Sequence, residues 1–192
     1  MVCSAVEEIP RDVFFESEIY PSASNRECGR HGEELFISLL PSLYYSVVEG
    51  DLSFFQASLK LEGGKLVNAA GAEVAEVRWE NAAEESGEPY DVSITPIGGT
   101  TVFVEVKASV ANNGFTLSHN QWMLAQKCFK TRNYVVVYIP FLRSFRRNAT
   151  AEDRFEAFKS ITVIRNIVDL SGLWRPKLMF SCPSEVLGKC WN

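Results

Sequence analysis

Residues 89–109 constrain the fold of this 192-residue chain more than any other stretch. Two runs rich in β-branched residues flank a Gly-Gly pair, a pattern that predicts a β-hairpin. Asp91 opens the first run, and Glu105 and Lys107 lie inside the second. Because successive side chains of a strand point to opposite faces, Glu105 and Lys107 share one face of the hairpin. That face therefore carries charges, which are costly to bury without a partner.

The length of the hairpin loop decides whether Asp91 joins that face. A two-residue loop would set Asp91 opposite Val106, on the wrong face. A three-residue loop over 97–99 would set it opposite Glu105, and three-residue loops that contain glycine are common. Since a shift of one residue turns every side chain over, a functional cluster requires the longer loop.

Two carboxylates and an ammonium group on one face are what a divalent cation and an attacking water require. Hard oxygen ligands suit Mg²⁺ or Mn²⁺. A hairpin with a solvated, charged outer face explains the same spacing equally well, because Glu and Lys often decorate exposed strand faces. The spacing alone therefore leaves a metal-dependent hydrolytic site and an ordinary surface both open.

Length and composition predict one domain with a substantial core, since 46% of the residues are hydrophobic and 22% are charged. The net charge of −5 argues against a protein that coats DNA nonspecifically. A basic run of Arg143, Arg146 and Arg147 could meet phosphate, or could be an ordinary solvated loop. Five cysteines without metal-ligand spacing predict reduced thiols in an intracellular protein. No apolar run approaches about 18 residues, so no membrane span is predicted.

The remaining patterns predict helices and strands around the hairpin. A first helix covers about 26–45, with Pro41 ending or kinking it, and a half-buried strand covers 74–79. The apolar run 134–140 predicts a strand buried on both faces after a helical crossover, and 161–170 predicts a late strand. This order predicts an α/β fold with a mixed sheet and helices on both faces.

Two helical positions carry polar side chains that need an explanation. Glu33 extends the apolar stripe of the first helix backward, where Arg30 or the positive helix N-terminus could offset its charge. The second helix opens at Ser118, and Ser118 with Gln121 fits a capping box. Gln121 therefore has a structural role available without any part in a site.

The order of Asp91, Glu105 and Lys107 resembles the core of the restriction-endonuclease-like superfamily, the PD-(D/E)XK nucleases. Several segments are similar, in the same order, to the C-terminal domain of plant NO VEIN proteins. The similar segments are 29–34, 77–81, 85–91, 104–108 and 115–122. The resemblance covers about residues 26–140.

This resemblance implies a restriction-endonuclease-like αβββαβ core in a domain over 26–182, with an insertion at about 46–72. A tail or short helix over 1–25 and a tail over 183–192 would flank it. The implied metal ligands are Asp91, Glu105 and Glu33. The implied catalytic set adds Lys107 and Gln121. For the Gln121 side chain, the role in the site would compete with the role in the helix cap.

The implied function is hydrolysis of nucleic-acid phosphodiester bonds with Mg²⁺ or Mn²⁺, on DNA rather than RNA, in the nucleus. Arg143, Arg146 and Arg147 would contact the nucleic acid. The resembled domains stand at the C-terminus of long plant proteins with a developmental role. The alternative is therefore a catalytically silent, nuclease-like module for binding or scaffolding within such a protein, with protein partners of its own.

Overall fold

The computed structural model describes residues 25–50, 59–84, 86–110, 114–145 and 150–169. Within them the chain forms seven strands, one short 3-10 helix and three named α-helices, and residues 167–169 are also helical. In chain order these are α1 (Asn25–Val48), β1 (Lys60–Glu62), β2 (Lys65–Val67), β3 (Glu73–Trp79), β4 (Val92–Pro96), β5 (Val102–Ala108), α2 (His119–Lys127), β6 (Tyr134–Ile139), the 3-10 helix (Leu142–Phe145), α3 (Ala151–Lys159) and β7 (Thr162–Ile164).

The seven strands form one mixed sheet in which spatial order follows chain order. Every neighbouring pair is antiparallel except β5 and β6, which are parallel. A parallel pair needs a crossover connection, and α2 provides it between β5 and β6. The predicted α/β class with a mixed sheet is confirmed, and the predicted order of helix, three strands, helix and strand is present as α1, β3, β4, β5, α2 and β6.

Strand β6 is buried on both faces, as its apolar run predicts. Val135 and Val137 belong to the core cluster beneath α1, whereas Tyr134 and Val136 belong to the cluster beneath α2. Because strand residues alternate between faces, the two helices cover opposite sides of the sheet. No helix in the described segments is long and apolar enough to cross a membrane.

The β4–β5 hairpin adopts the register that the functional interpretation requires. Val92 lies opposite Val104, and Ile94 lies opposite Val102. Continued by one residue, this register places Asp91 level with Glu105. The backbone N–H of Asp91 donates to the carbonyl of Val104 at 2.9 Å, one residue away from the partner that a regular continuation would give, so the pairing becomes irregular at Asp91. The prediction of a three-residue loop is therefore confirmed.

Helix α1 contradicts the prediction that Pro41 ends it, because it continues to Val48 with Pro41 inside, whereas the alternative of a kink at Pro41 stays a prediction. The apolar side chains of Leu43 and Val47, beyond the proline, are almost fully buried. Burial of this stripe offsets the hydrogen bond that a proline removes from the helix interior. The prediction was wrong because a local preference lost to tertiary packing.

Three other expectations differ from the structure in extent. The late strand predicted over 161–170 is only β7, three residues long. The sequence also predicts a polar loop over 143–153 and a helical turn over 154–159. In the structure this segment begins with the 3-10 helix, and α3 begins earlier, at Ala151, because Thr150 forms a capping box with Asp153. The expected insertion contributes a hairpin, β1–β2, to the same sheet. The sequence also predicts a turn at 112–114 and an edge strand over 174–182. Apart from Asn25 and Gly114, these segments and the predicted tails lie outside the described residues, and the domain limits stay predictions.

Candidate active site

The predicted site residues meet at one end of the sheet, where β3 and β5 finish and β4 begins. Asp91 immediately precedes β4, and Lys107 is one residue from the end of β5. Helix α1 approaches this end closely at Gly32, because a Cβ built there would lie only 2.4 Å from the Cβ of Ala108. Glu33 follows that contact, so α1 brings it to the same end of the sheet.

Glu105 is the most enclosed charged side chain among the described residues, with an exposed fraction of 2%. Its Oε1 forms an ion pair with Nζ of Lys107 at 2.7 Å. The same oxygen accepts a hydrogen bond from Nε2 of Gln121 at 2.6 Å. The second oxygen, Oε2, is buried and has no hydrogen-bond partner. A buried carboxylate oxygen without a donor is uncommon and requires an explanation.

Gln121 serves the helix cap and the site with one side chain. Its backbone N–H and its Oε1 complete the capping box with Ser118, and Oε1 accepts from the Ser118 backbone N–H at 2.7 Å. Oε1 also accepts from Nζ of Lys107 at 3.2 Å, while Nε2 donates to Glu105. The two roles foreseen for Gln121 therefore do not compete, because they use different lone pairs and different atoms of the amide.

Both carboxylate oxygens of Asp91 are held by hydrogen bonds. Oδ2 accepts from the backbone N–H of Val106 at 2.7 Å, and Oδ1 accepts from Nδ2 of Asn81 at 2.9 Å. The bond to Val106 ties Asp91 to β5. The bond to Asn81 ties Asp91 to the loop that follows β3.

Glu33 lies against the end of β3 rather than in solvent. Its Oε2 accepts from Nε1 of Trp79 at 2.8 Å. Arg30 is not its ion-pair partner, because Nε of Arg30 bonds Glu34 at 3.2 Å and the guanidinium lies 4.4 Å from the centre of the Trp79 ring. The tryptophan between them thus separates Glu33 from the cation that the sequence offered as its neutralising partner.

The carboxylates of the site resist ionisation. Burial raises the pKa of Glu105 to about 8, repulsion from Asp91 adds to the rise, and Lys107 opposes it. Burial also raises the pKa of Asp91 to about 6, with Glu33 adding repulsion, while the Val106 N–H, Lys107 and Asn81 favour the charged form. Burial and repulsion between neighbouring carboxylates both favour the protonated forms. A bound cation would favour the charged forms and so oppose both causes.

The donor chemistry fits a hard divalent cation at Asp91 and Glu105. Both offer carboxylate oxygens, and Oε2 of Glu105 has no other partner. Among the described residues, no three His, Cys, Asp or Glu side chains are arranged to hold a metal ion together, so Glu33 does not complete a preformed triad. Mg²⁺ commonly binds through one or two carboxylates and completes its shell with water and substrate phosphate.

Of the predicted basic run, only Arg143 lies in the described part of the chain. Arg143 lies in the 3-10 helix, is partly buried, and has a buried Nε without a hydrogen-bond partner. Arg146 and Arg147 lie outside the described residues. The predicted role of the three arginines in nucleic-acid binding stays a prediction.

Pro89 and Tyr90 precede Asp91 in the chain and contact side chains of the sheet. The hydroxyl of Tyr134 donates to the carbonyl of Pro89 at 3.3 Å, and the ring of Tyr90 lies 4.7 Å from that of Phe103. Burial raises the pKa of Tyr134, and nearby Glu105 and Asp91 raise it further, so its hydroxyl acts as a hydrogen-bond donor.

Sequence reasoning missed the roles of three residues that shape the site. Trp79 and Asn81 were not singled out, and Arg30 was considered only as a partner of Glu33. Each acts through a partner distant in the chain, such as Glu33 for Trp79 and Asp91 for Asn81. The available signal was their position, because Trp79 and Asn81 end a strand and open an acidic loop that leads to Asp91.

Comparison with known proteins finds a family similarity in the middle of the chain. Residues 56–147 match the family described as "Protein NO VEIN, C-terminal". The chain is 39% identical over 65 residues to "Protein NO VEIN-LIKE" of Arabidopsis thaliana, and 36% identical over 65 residues to "Protein NO VEIN" of the same plant. Each alignment covers 33% of this chain, but only 10% of the first relative and 2% of the second.

No solved structure significantly matches the chain. The family match includes Asp91, Glu105, Lys107 and Gln121, whereas α1 and Glu33 precede it. The region from residue 56 to residue 147 is thus similar to the C-terminal domain family of NO VEIN proteins.

Proposed function

We propose that this domain hydrolyses nucleic-acid phosphodiester bonds with Mg²⁺ or Mn²⁺, as a nuclease of the PD-(D/E)XK type. The observation that carries the proposal is Glu105, a buried carboxylate with one unpartnered oxygen, held between Lys107 and Gln121 and beside Asp91. A charged group is rarely retained in such a place for stability, because burying it is costly. Perturbed titratable groups that cluster in this way favour a functional site.

Each residue has a distinct role in this proposal. Asp91 and Glu105 would hold the cation, which when bound supplies Lewis acidity toward the phosphodiester and its attacking water. Lys107 would hold that water and offset phosphate charge, since its Nζ is already placed beside Glu105 and Gln121. Gln121 would keep Lys107 and Glu105 aligned through α2. Glu33, held by Trp79, would lie at the rim and bind a water on that side.

The restriction-endonuclease-like core is part of the proposal. Its support is the order of α1, β3, β4, β5, α2 and β6, with the acidic residues at the hairpin between the two helices. DNA is the proposed substrate rather than RNA, and the nucleus the proposed location. The net charge of −5 predicts weak affinity for nucleic acid by the isolated chain, so the rest of a longer protein would contribute to binding.

A second candidate is a nuclease-like module that binds or scaffolds without cutting. Two observations favour it. Each acidic head already has a protein partner in Lys107, Asn81 or Trp79, and the relatives are about ten times longer or more than the segment they share with this chain. Such a module could serve a larger plant regulator through protein contacts.

A nuclease assay with Mg²⁺ or Mn²⁺ on supercoiled plasmid and on single strands separates the two candidates. If the domain cuts, Asp91→Ala should be inactive and Lys107→Ala should lose about 10²-fold or more in rate, because one charge partner of the transition state is removed. Lys65→Ala is the matched control, since it removes an exposed lysine paired with Glu73 at 2.8 Å, away from the site. Its rate should equal that of the wild type.

Lys107→Ala should retain its fold and its stabilisation by Mn²⁺, because the carboxylates remain. An inert wild type that Mn²⁺ still stabilises would contradict the nuclease and support the binding module. Equal cutting by the wild type and Lys107→Ala would show that the observed cutting does not come from this site.

A further inference from the structure

The loop after β3 contains a side chain held at every polar atom. Oδ1 of Asn81 accepts from the backbone N–H of Ser86 at 3.0 Å and from its Oγ at 3.1 Å. With both donors on Oδ1, Nδ2 must be the atom that faces Asp91, and it donates to Oδ1 of Asp91 at 2.9 Å. The orientation of the Asn81 amide is thus determined by its partners.

Helix α1 holds the backbone of the same residue. Nη1 of Arg30 donates to the carbonyl of Asn81, and Nη2 donates to the carbonyl of Ala82 at 2.8 Å. The guanidinium also lies over the ring of Trp79, at 4.4 Å from its centre. A planar guanidinium that stacks on an aromatic ring and binds two acceptors defines its own position closely. The end of β3 is therefore clamped to α1.

We propose that Asn81 is the positioning residue of Asp91, and that Arg30 holds Asn81 in place for this task. The Asp91 carboxylate has two anchors, Val106 on Oδ2 and Asn81 on Oδ1. The first anchor alone permits rotation about the side-chain bond, whereas two anchors define the plane of the carboxylate. Ligand direction at a metal or substrate depends on such supporting hydrogen bonds.

This arrangement makes α1 a part of the site, although α1 precedes the region that matches the family. Arg30 reaches from α1 to the loop after β3, and that loop reaches Asp91. The inference depends on the proposed function only where it treats Asp91 as a carboxylate that acts in the site. The hydrogen-bond chain from Arg30 to Asp91 stands without it.

Amide hydrogen exchange in the full chain tests the proposal without metal or substrate. The N–H of Val106 reports on Oδ2 of Asp91, and the N–H of Ser86 reports on Oδ1 of Asn81. In Asn81→Ala, exchange at Val106 should rise about tenfold or more, because a hydrogen bond to a charged acceptor is weakened. Asn68→Ala is the matched control, since Asn68 also accepts two backbone N–H groups in a turn. It should leave Val106 unchanged.

Asn81→Asp separates positioning of Asp91 from simple loop closure. This variant keeps an acceptor oxygen for Ser86 but replaces the donor to Asp91 with a carboxylate that repels it. Ser86 should stay protected while Val106 exchanges faster, as in Asn81→Ala. Arg30→Lys, which cannot bind two carbonyls in the same plane, should raise exchange at both amides. Wild-type exchange at Val106 in both Asn81 variants would overturn the proposal.

The outcome is independent of the nuclease assay. A domain that fails to cut DNA but shows faster Val106 exchange in both Asn81 variants would retain the positioning role and lose the proposed function. A domain that cuts at the wild-type rate with Asn81→Ala, and with Val106 unchanged, would retain the function and lose the positioning role.

Discussion

At the scale of single residues, the raised pKa values of Glu105 and Asp91 make the stability of the fold depend on pH. Their ordinary values are 4.5 and 3.8, and in the folded protein they rise to about 8 and about 6. The folded chain therefore binds these protons more tightly than the unfolded chain. Their contribution to the free energy of unfolding is complete below about pH 4 and is lost as the pH rises through 6 and 8.

We accordingly expect the thermal midpoint of the metal-free protein to decrease as the pH rises from 5 to 8. Glu105→Gln should remove most of this decline, because a neutral amide has no proton to lose, and the difference should be on the order of a few kcal/mol. Thermal unfolding followed by circular dichroism across this range provides the measurement. The exposed Glu156→Gln is the control and should keep the wild-type slope. A thermal midpoint of the wild type that does not change with pH would contradict the raised pKa values of Glu105 and Asp91.

At the scale of elements, the packing of α1 on β5 depends on Gly32. A Cβ at this position would lie 2.4 Å from the Cβ of Ala108, which is closer than packed side chains approach. Gly32→Ala should therefore lower the free energy of unfolding by about 1–3 kcal/mol, measured by urea denaturation. Gly29→Ala, three residues earlier with nothing within 4 Å of the new Cβ, is the control. It should be neutral or stabilising by up to about 1 kcal/mol, since alanine favours helix. Equal effects would contradict close packing at Gly32.

The start of α2 couples a helix cap to the site. Ser118→Ala and Thr150→Ala each remove the capping hydroxyl of a capping box, and each should cost about 1 kcal/mol of stability. Only Ser118→Ala should change the site, because Gln121 then loses one of the bonds that hold it beside Glu105 and Lys107. The stabilisation by Mn²⁺, measured as the shift in thermal midpoint, should decrease in Ser118→Ala and remain at the wild-type value in Thr150→Ala. Equal Mn²⁺-induced shifts in the two variants would show that the helix cap does not affect the site.

At the scale of the whole molecule, a bound cation should stabilise the fold. The acidic end of the sheet loses its repulsion when a divalent ion replaces protons, and a ligand at 100 times its dissociation constant contributes about 2.7 kcal/mol. The thermal midpoint of the wild type should rise with Mn²⁺ at pH 7.5, and that of Glu105→Gln should rise less. Glu73→Gln changes a residue at the start of β3, at the opposite end of that strand from the site, and should respond as the wild type does. An identical response of the wild type and both variants would show that Mn²⁺ does not bind at Glu105.

Local patterns predicted much of this architecture because they act over a few residues. Alternation in β3, the continuous apolar run of β6 and the capping box at Ser118 each appear in the structure where the sequence placed them. The hairpin register also followed from the residues, once the requirement that Asp91 face Glu105 selected the three-residue loop. The failure at Pro41 has the opposite cause, because burial of residues along α1 outweighed a local preference.

The sequence by itself predicted the fold class and the hairpin that carries Asp91, Glu105 and Lys107, but it left open whether their shared face is a site or an exposed surface. Only the tertiary structure decided how the site residues are held: Glu33 by Trp79, Asp91 by Asn81, and Asn81 by Arg30. The partners in the first and last of these contacts lie 46 and 51 residues apart. Periodicity and turn chemistry act within one element, whereas the choice of partner across such distances depends on how α1 docks on the sheet. That docking follows from the packing of the core as a whole, which no short stretch of the chain encodes.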